Sequence, residues 1–213
     1  MIHFSKINLI FLLIITFTAY SLQSQQKEFK GNPDTAFKVA RELAFNGKRK
    51  QAQDSLKLIL TKYPNYLDIR AFLASTYSWD GNYNSARKEF EYVLEKDENR
   101  KADWIAYIKN EQYAEKYYKA LQLSEKALKI FPNDYDLLLL KGKSQFNRGH
   151  KEDALETIDE AILIHPENKD LLNYKTSLER NLSTNTIGLS VSLDYYDLDK
   201  NNGRANMYYS TLS

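Results

Sequence analysis

The stretch "NDYDLLLLKGKSQFNRGHKEDALETIDEAILIHP", Asn133–Pro166, holds two helix-like segments on either side of Gly149. Gly142 and Ala154 are small, so the two segments can approach each other closely as helices. Gly149 lies in the turn between them, where a residue that tolerates positive φ ends a helix. Pro166 closes the stretch. We therefore predict an antiparallel pair of α-helices here.

This helix pair recurs along the chain with a period of 34 residues. The period is marked by the alanines Ala52, Ala86, Ala120 and Ala154. It is marked again by the terminators Pro64, Glu98, Pro132 and Pro166. Positions four and seven residues after each alanine are apolar or small, which is the spacing of one helix face. A fixed period in this range indicates stacked supersecondary units.

The spacing resembles the tetratricopeptide repeat, with its Trp/Leu, Gly, Tyr, Ala, Phe, Ala, Pro pattern. The residues that carry the resemblance are Leu138, Gly142, Ala154, Ala161 and Pro166 in the fourth unit, Ala74, Tyr77, Ala86 and Phe90 in the second, and Trp104, Ala120, Ala127 and Pro132 in the third. Ile108 and Glu98 depart from the pattern. The resemblance covers Asn32 to about Pro166 and implies an all-α solenoid of about four helix pairs. The amphipathic segment after Pro166 is expected to cap the last unit.

Residues 1–24 have the features of a secretory signal peptide. Lys6 precedes an apolar run from Leu9 to Tyr20, and small or polar residues follow it. The run is shorter than the roughly 20 residues of a membrane-spanning helix. We expect cleavage after Ser21 or Ser24, with an uncleaved anchor as the alternative. Residues 25–182 then form the repeat domain and its capping helix.

The composition favours a structured, non-catalytic chain. The net charge of +2 is spread along the sequence without a basic block, so no nucleic-acid partner is indicated. His150 and His165 lack a nearby Cys or paired carboxylate at metal-ligand spacing. The Asp197–Gly203 stretch resembles the start of a calcium loop, but Asn202 stands where that loop requires Gly. We expect no enzyme activity, no cofactor and no metal.

The predicted partner-binding site comes from the register of the first helix in each unit. The residues expected to face the groove of such repeats alternate between cations and aromatics: Arg41, Phe45, Trp79, Lys109, Tyr113 and Lys143. Such a groove could stack sugar rings of a polysaccharide or hold an extended acidic peptide of a protein. In the alternative interpretation, the aromatics pack against the neighbouring unit and the cations are only solvated. Ala102 and Ala106 stand where some tetratricopeptide domains place cations that grip a terminal carboxylate.

The period changes after the last helix. Between Ile187 and Tyr195, apolar residues alternate with small or polar ones. The stretch 186–196 has the roughly 9 to 11 residues that an outer-membrane strand needs to cross obliquely. We predict that residues 183–213 form a β-hairpin and begin an outer-membrane β-barrel that is cut short at Ser213, because two strands alone cannot satisfy their own edges.

The order of these parts resembles the amino-terminal portion of YaiO-type outer-membrane β-barrel proteins with periplasmic repeats. That resemblance rests on the signal peptide, the repeats, the connecting helix and the "NTIGLSVSLDYYDLD" stretch. It implies export to the periplasm and outer membrane of a Gram-negative bacterium, where the repeats recruit partners or guide polysaccharide towards a pore. The alternative is a soluble periplasmic adaptor that binds proteins and whose tail adds a strand to a partner's sheet.

Overall fold

The computed structural model describes residues 28–182, and within this range the regular structure is entirely helical. Eight helices of 13 or 14 residues follow one another: α1 Pro33–Phe45, α2 Arg49–Lys62, α3 Leu67–Trp79, α4 Tyr83–Lys96, α5 Lys101–Tyr113, α6 Tyr117–Ile130, α7 Tyr135–Asn147 and α8 Lys151–Ile164. Helix α9 covers residues 169–182. The predicted helix pairs and the helix after them are therefore confirmed. The predicted signal peptide and β-hairpin lie outside the described residues.

The ends of the helices follow from local side-chain chemistry. The Asn32 side chain accepts hydrogen bonds from the backbone N–H groups of Asp34 and Thr35, at 2.9 and 3.0 Å, and Pro33 opens α1. Asn82 and Asp134 cap α4 and α7 in the same way. Side-chain oxygens at this position satisfy N–H groups that the helix itself leaves without partners.

The turns inside the helix pairs adopt the left-handed backbone conformation. Gly47, Gly81 and Gly149 have φ values of 77°, 74° and 87°. Glu115 occupies the equivalent turn of the third pair and has a φ of 57°. The predicted role of Gly149 is confirmed, and the third pair makes the same turn with a residue that carries a Cβ.

Small residues set the approach of α7 and α8. A Cβ on Gly142 would lie 2.9 Å from Cδ1 of Ile158 and 3.4 Å from the Ala154 carbonyl oxygen. Ala154 is fully buried, as are the other three alanines of the period, Ala52, Ala86 and Ala120. The small residues that repeat every 34 positions thus lie where helices pack closely against each other.

The helices divide into two compact units, of which the first ends at Asp80 and the second begins at Gly81. The core of the first unit packs the buried side chains Phe29, Leu56, Ile59, Ile69 and Leu73 together. In the second unit, Leu171 and Leu178 of α9 are buried in the clusters around α7 and α8, so α9 covers the apolar side of the last pair. Among residues 28–182, none of the helices has the length and hydropathy that a membrane span requires.

Candidate partner-binding surface

Two helices of the first unit bring aromatic side chains and an arginine together. Phe37, Arg41 and Phe45 are spaced four residues apart on α1, which places them along one side of that helix. Phe72 and Trp79 are seven residues apart on α3, which again is one side. These five residues are called the aromatic surface below.

Phe72 is the centre of the aromatic surface. Its ring centroid lies 5.7 Å from that of Phe37, 5.9 Å from that of Phe45 and 5.8 Å from that of Trp79. All three contacts are edge-to-face, and Phe45 and Trp79 also lie 5.9 Å from each other. Aromatic pairs favour this geometry, so the rings hold each other in fixed positions.

The outer rings of the aromatic surface are open to solvent. The exposed fraction is 66% for Phe45 and 47% for Trp79, whereas Phe37 and Phe72 are half-buried. Neighbouring large apolar groups that stay exposed are typical of interaction sites. Phe45 also packs on Phe72 and Trp79 of the next helix pair, as the alternative interpretation describes, and the partner-binding role of the exposed rings stays a prediction.

Arg41 rests on two of these rings. Its guanidinium carbon lies 5.8 Å from the ring centroids of both Phe37 and Phe72. Each such contact is worth about 0.5–1 kcal/mol at an exposed site. Within residues 28–182, Arg41 forms no ion pair with a carboxylate. Its N–H donors therefore lie beside the rings without a carboxylate partner among the described residues, and they remain available to a ligand.

An acidic group lies beside the Phe37 end of the aromatic surface. The Tyr66 hydroxyl donates a hydrogen bond to the Asp34 carboxylate, and the Tyr66 ring lies 6.5 Å from that of Phe37. This hydrogen bond raises the pKa of the Tyr66 phenol. The surface is thus cationic at its middle, acidic near one end and apolar at the other.

The structure places the six predicted site residues in two groups. Arg41, Phe45 and Trp79 come together in the first unit, as described above. Lys109 and Tyr113 are exposed in the second unit. Lys143 is half-buried there, with its ammonium 5.5 Å from the ring centroid of Tyr174, and burial raises the pKa of Tyr174 to about 12.

Sequence reasoning missed Phe37 and Phe72, which are as central to the surface as the predicted residues. The spacing on α1 could have identified Phe37, because Phe37, Arg41 and Phe45 recur every four residues there. Phe72 stands at a different register position from Phe37, so a comparison of equivalent positions does not pair them.

The second unit contains a set of polar contacts around the buried side chains of Glu111 and Tyr107. Arg87 donates to both carboxylate oxygens of Glu111, from Nε at 2.9 Å and from Nη2 at 2.7 Å. The Tyr107 hydroxyl donates to Glu91 at 2.6 Å, and Lys119 donates to the same oxygen at 2.8 Å. Burial, together with the hydrogen bond to Glu91, raises the pKa of Tyr107. These groups satisfy one another, so the network stabilises the fold and presents no open site.

Metal ligation has no support in the described part of the chain. Residues 28–182 contain no group of three or more His, Cys, Asp or Glu side chains that could hold a metal ion. The exposed His150 lies 3.6 Å from Asp153. His165 packs edge-on against Tyr135, with 4.2 Å between the ring centroids.

Comparisons with known proteins identify the type of fold. Residues 112–178 match the tetratricopeptide repeat family, and no curated protein sequence matches the chain. A solved structure of MamA from Desulfovibrio magneticus RS-1, residues 41 to the end, is 15% identical with a TM-score of 0.63, over 82% of this chain and 99% of that chain. The first tetratricopeptide domain of Spaghetti (RPAP3), bound to an HSP90 peptide, is 14% identical with a TM-score of 0.51, over 55% and 93%. The chain has a tetratricopeptide-type fold, which suggests a protein-interaction module.

Proposed function

We propose that this tetratricopeptide repeat chain is a non-enzymatic interaction module of the bacterial envelope, and that it binds a protein partner through the aromatic surface of its first unit. One observation carries the proposal. Phe45 and Trp79 remain exposed beside Arg41, whose guanidinium is fixed on two rings. Trp and Arg are among the side chains that contribute most to binding energy at protein interfaces.

The preference for a protein partner has support from a similar fold. The structure of the Spaghetti (RPAP3) domain contains a bound peptide. Polysaccharide is the second candidate ligand, because aromatic faces beside a cation can also hold sugar rings. The two candidates differ in what a cross-link to this surface would capture.

The envelope location rests on the sequence. Lys6 followed by the apolar run Leu9–Tyr20 supports export. The alternation between Thr186 and Tyr196 supports attachment to an outer-membrane β-barrel. In this arrangement residues 25–182 work in the periplasm, and the module assists polysaccharide or envelope export by recruiting a partner. The soluble periplasmic adaptor differs only in how the module is attached.

Site-specific photo-cross-linking in Gram-negative cells tests the function. A photoreactive amino acid replaces Phe45 in the full chain, and a second chain carries it in place of Leu163, which is 83% exposed in the second unit. We expect protease-sensitive adducts of discrete mass from position 45 and none from position 163. We expect Arg41→Ala to remove the adducts.

Equal adducts from both positions, or none from position 45, would contradict the proposed surface. An adduct that resists protease and yields to glycosidases would identify polysaccharide as the ligand instead.

A further inference from the structure

We propose that the aromatic surface recognises an extended peptide segment in which a Glu or Asp side chain lies two residues from an aromatic or large aliphatic side chain. The inference rests on the proposed function and names the chemical feature of the protein partner.

The first step concerns the charge of Arg41. Two other arginines already have carboxylate partners, since Arg49 pairs with Asp80 and Arg87 with Glu111. Within residues 28–182 Arg41 has rings beneath it and no carboxylate. A guanidinium presents its N–H donors as a planar fork that matches a carboxylate. Because the rings of Phe37 and Phe72 hold the guanidinium, less side-chain entropy is lost when a carboxylate binds.

The second step concerns the apolar end of the surface. Phe45 and Trp79 lie 5.9 Å apart with their planes inclined at 40°, and Phe72 supports both from behind. An apolar side chain placed on them would bury area on both exposed rings. This subsite therefore favours a Phe, Tyr, Trp or Leu side chain of the partner.

The third step concerns spacing. Arg41 and Phe45 are four residues apart on a helix, which corresponds to about 6 Å along its axis. Side chains on the same side of an extended peptide repeat every two residues, or about 6.6 Å. A carboxylate on Arg41 and an apolar side chain on Phe45 therefore fit two alternate residues of an extended segment.

The fourth step concerns width. Phe45 comes from α1 and Trp79 from α3, and the distance between their ring centroids is 5.9 Å. An extended segment occupies about 5 Å in this direction, whereas a helical ligand is about 10–12 Å across. The extended segment can thus touch both rings without extending far beyond them.

The fifth step concerns the acidic end. Asp34 is seven residues from Arg41, or about 10 Å along the axis of α1, and it is exposed. A run of acidic residues would bring like charges near Asp34, so a single acidic residue is favoured over a polyacidic segment. The surface extends on both sides of Arg41, which favours a side-chain carboxylate of a continuing peptide over a terminal one.

Tryptophan fluorescence of the purified full chain tests the inference. The chain has two tryptophans; Trp104 is buried at 2% exposure, so a ligand on the aromatic surface reports through Trp79. The probe is the blocked peptide Ser-Glu-Ser-Phe-Ser. Three peptides are compared with this probe. They are the same peptide with Gln in place of Glu, a peptide with the acidic and aromatic residues adjacent, and penta-glutamate.

We expect saturable binding of the probe and about tenfold weaker binding of the Gln peptide, which is the typical effect of a lost charge-assisted hydrogen bond. Arg41→Gln should weaken binding of the probe by a similar factor and remove the difference in affinity between the Glu and Gln peptides. Arg148→Gln is the matched control, because Arg148 also rests on an exposed ring, that of Tyr118 at 4.9 Å, and should leave binding unchanged.

Equal affinity for the Glu and Gln peptides, or preference for penta-glutamate, would overturn the inference even if a variant failed to fold. The peptide comparison uses only the unaltered chain. If no peptide changes Trp79 fluorescence while position 45 still cross-links to a protein, the inference fails and the proposed function stands. A response to an anionic oligosaccharide alone, with no protein adduct, contradicts both.

Discussion

Glu115 occupies a turn position at which the other helix pairs use glycine. Its φ of 57° lies in the left-handed region, like those of Gly47, Gly81 and Gly149. For a residue with a Cβ this conformation costs about 1–2 kcal/mol, whereas glycine costs about 0.5–1 kcal/mol in unfolded-state entropy. We expect Glu115→Gly to raise the free energy of unfolding by about 0.5–1 kcal/mol, as measured by urea denaturation.

The control for this change is Glu115→Ala, which removes the carboxylate and keeps the Cβ in the same conformation. We expect no gain in the free energy of unfolding from Glu115→Ala. An equal gain from both variants would show that the charge of Glu115, and not its φ, is the unfavourable feature.

The pairing of Arg87 with Glu111 gives a second prediction at the scale of the residue. The Glu111 side chain is 0% exposed and that of Arg87 is 14% exposed. Arg87→Met leaves the carboxylate buried without its cation, and we expect a loss of about 3–5 kcal/mol in the free energy of unfolding. Replacing both residues, with Arg87→Met and Glu111→Leu, should cost less than Arg87→Met alone.

The exposed pair of Lys50 and Asp54 is the matched control, since its side chains are 75% and 57% exposed. Solvent weakens such a pair, so Lys50→Met should change the free energy of unfolding by less than about 1 kcal/mol. A double replacement that costs as much as the sum of its single changes would contradict the argument from the unpaired charge.

At the scale of the element, the contact of α7 with α8 depends on the absence of a Cβ at Gly142. Gly142→Ala gains about 1 kcal/mol in helix propensity, but the new methyl would lie 2.9 Å from Cδ1 of Ile158. Ile158→Val removes that atom and keeps Cγ1, which would lie 3.1 Å from the new methyl. We therefore expect Gly142→Ala to be more favourable by about 1 kcal/mol in the Ile158→Val background than in the original chain.

A double-mutant cycle of urea unfolding measures this coupling. The control pairs Gly142→Ala with Ile59→Val, which removes a methyl from the core of the first unit. We expect additive effects there. A coupling near zero for Gly142 and Ile158 would mean that α7 and α8 adjust without cost.

The helices and turns could be predicted from the sequence because each repeats at a fixed distance along the chain. Ala52, Ala86, Ala120 and Ala154 share one environment, and their full burial confirms it. The ion-pair partner of Glu111 could not be predicted from the sequence. Arg87 lies 24 residues before it, off the period, and the pairing depends on how far a side chain reaches between helices.

For the same reason, only part of the candidate site could be predicted from the sequence. Equivalent positions in the register identified Phe45 and Trp79, which do contact each other. The support that Phe37 and Phe72 give to Arg41 comes from residues that are not equivalent in the register. The spacing of residues in the sequence thus predicted where the surface lies, and the side-chain geometry of the structure added Phe37 and Phe72 to it.

At the scale of the whole molecule, the aromatic surface is complete within a single unit. All five of its residues lie before Asp80, where the first unit ends. Its rings are held by Phe72 and by the α1 and α3 backbones, so their geometry is set by the core of that unit. Lys109, Tyr113 and Lys143 remain predicted binding residues of the second unit.

The last prediction concerns how the module is attached to the envelope. If residues 186–196 form a strand, Leu189, Val191 and Leu193 would share one side, and Ser190 and Ser192 the other. If the first side faces lipid, serine substitutions there should be far more harmful than conservative changes on the second side, because polar side chains on a lipid-facing strand are unfavourable. When the chain is expressed together with any coding sequence that follows Ser213, we expect the triple variant Leu189→Ser, Val191→Ser, Leu193→Ser to move it from the outer-membrane fraction to the fraction released by osmotic shock. The variant Ser190→Thr, Ser192→Thr is the control and should stay with the membrane. Immunoblots of fractionated cells, with the repeats probed by protease in shocked and intact cells, measure both outcomes. If that longer chain without substitutions is already released by osmotic shock without detergent, the barrel attachment is wrong and the soluble periplasmic adaptor takes its place.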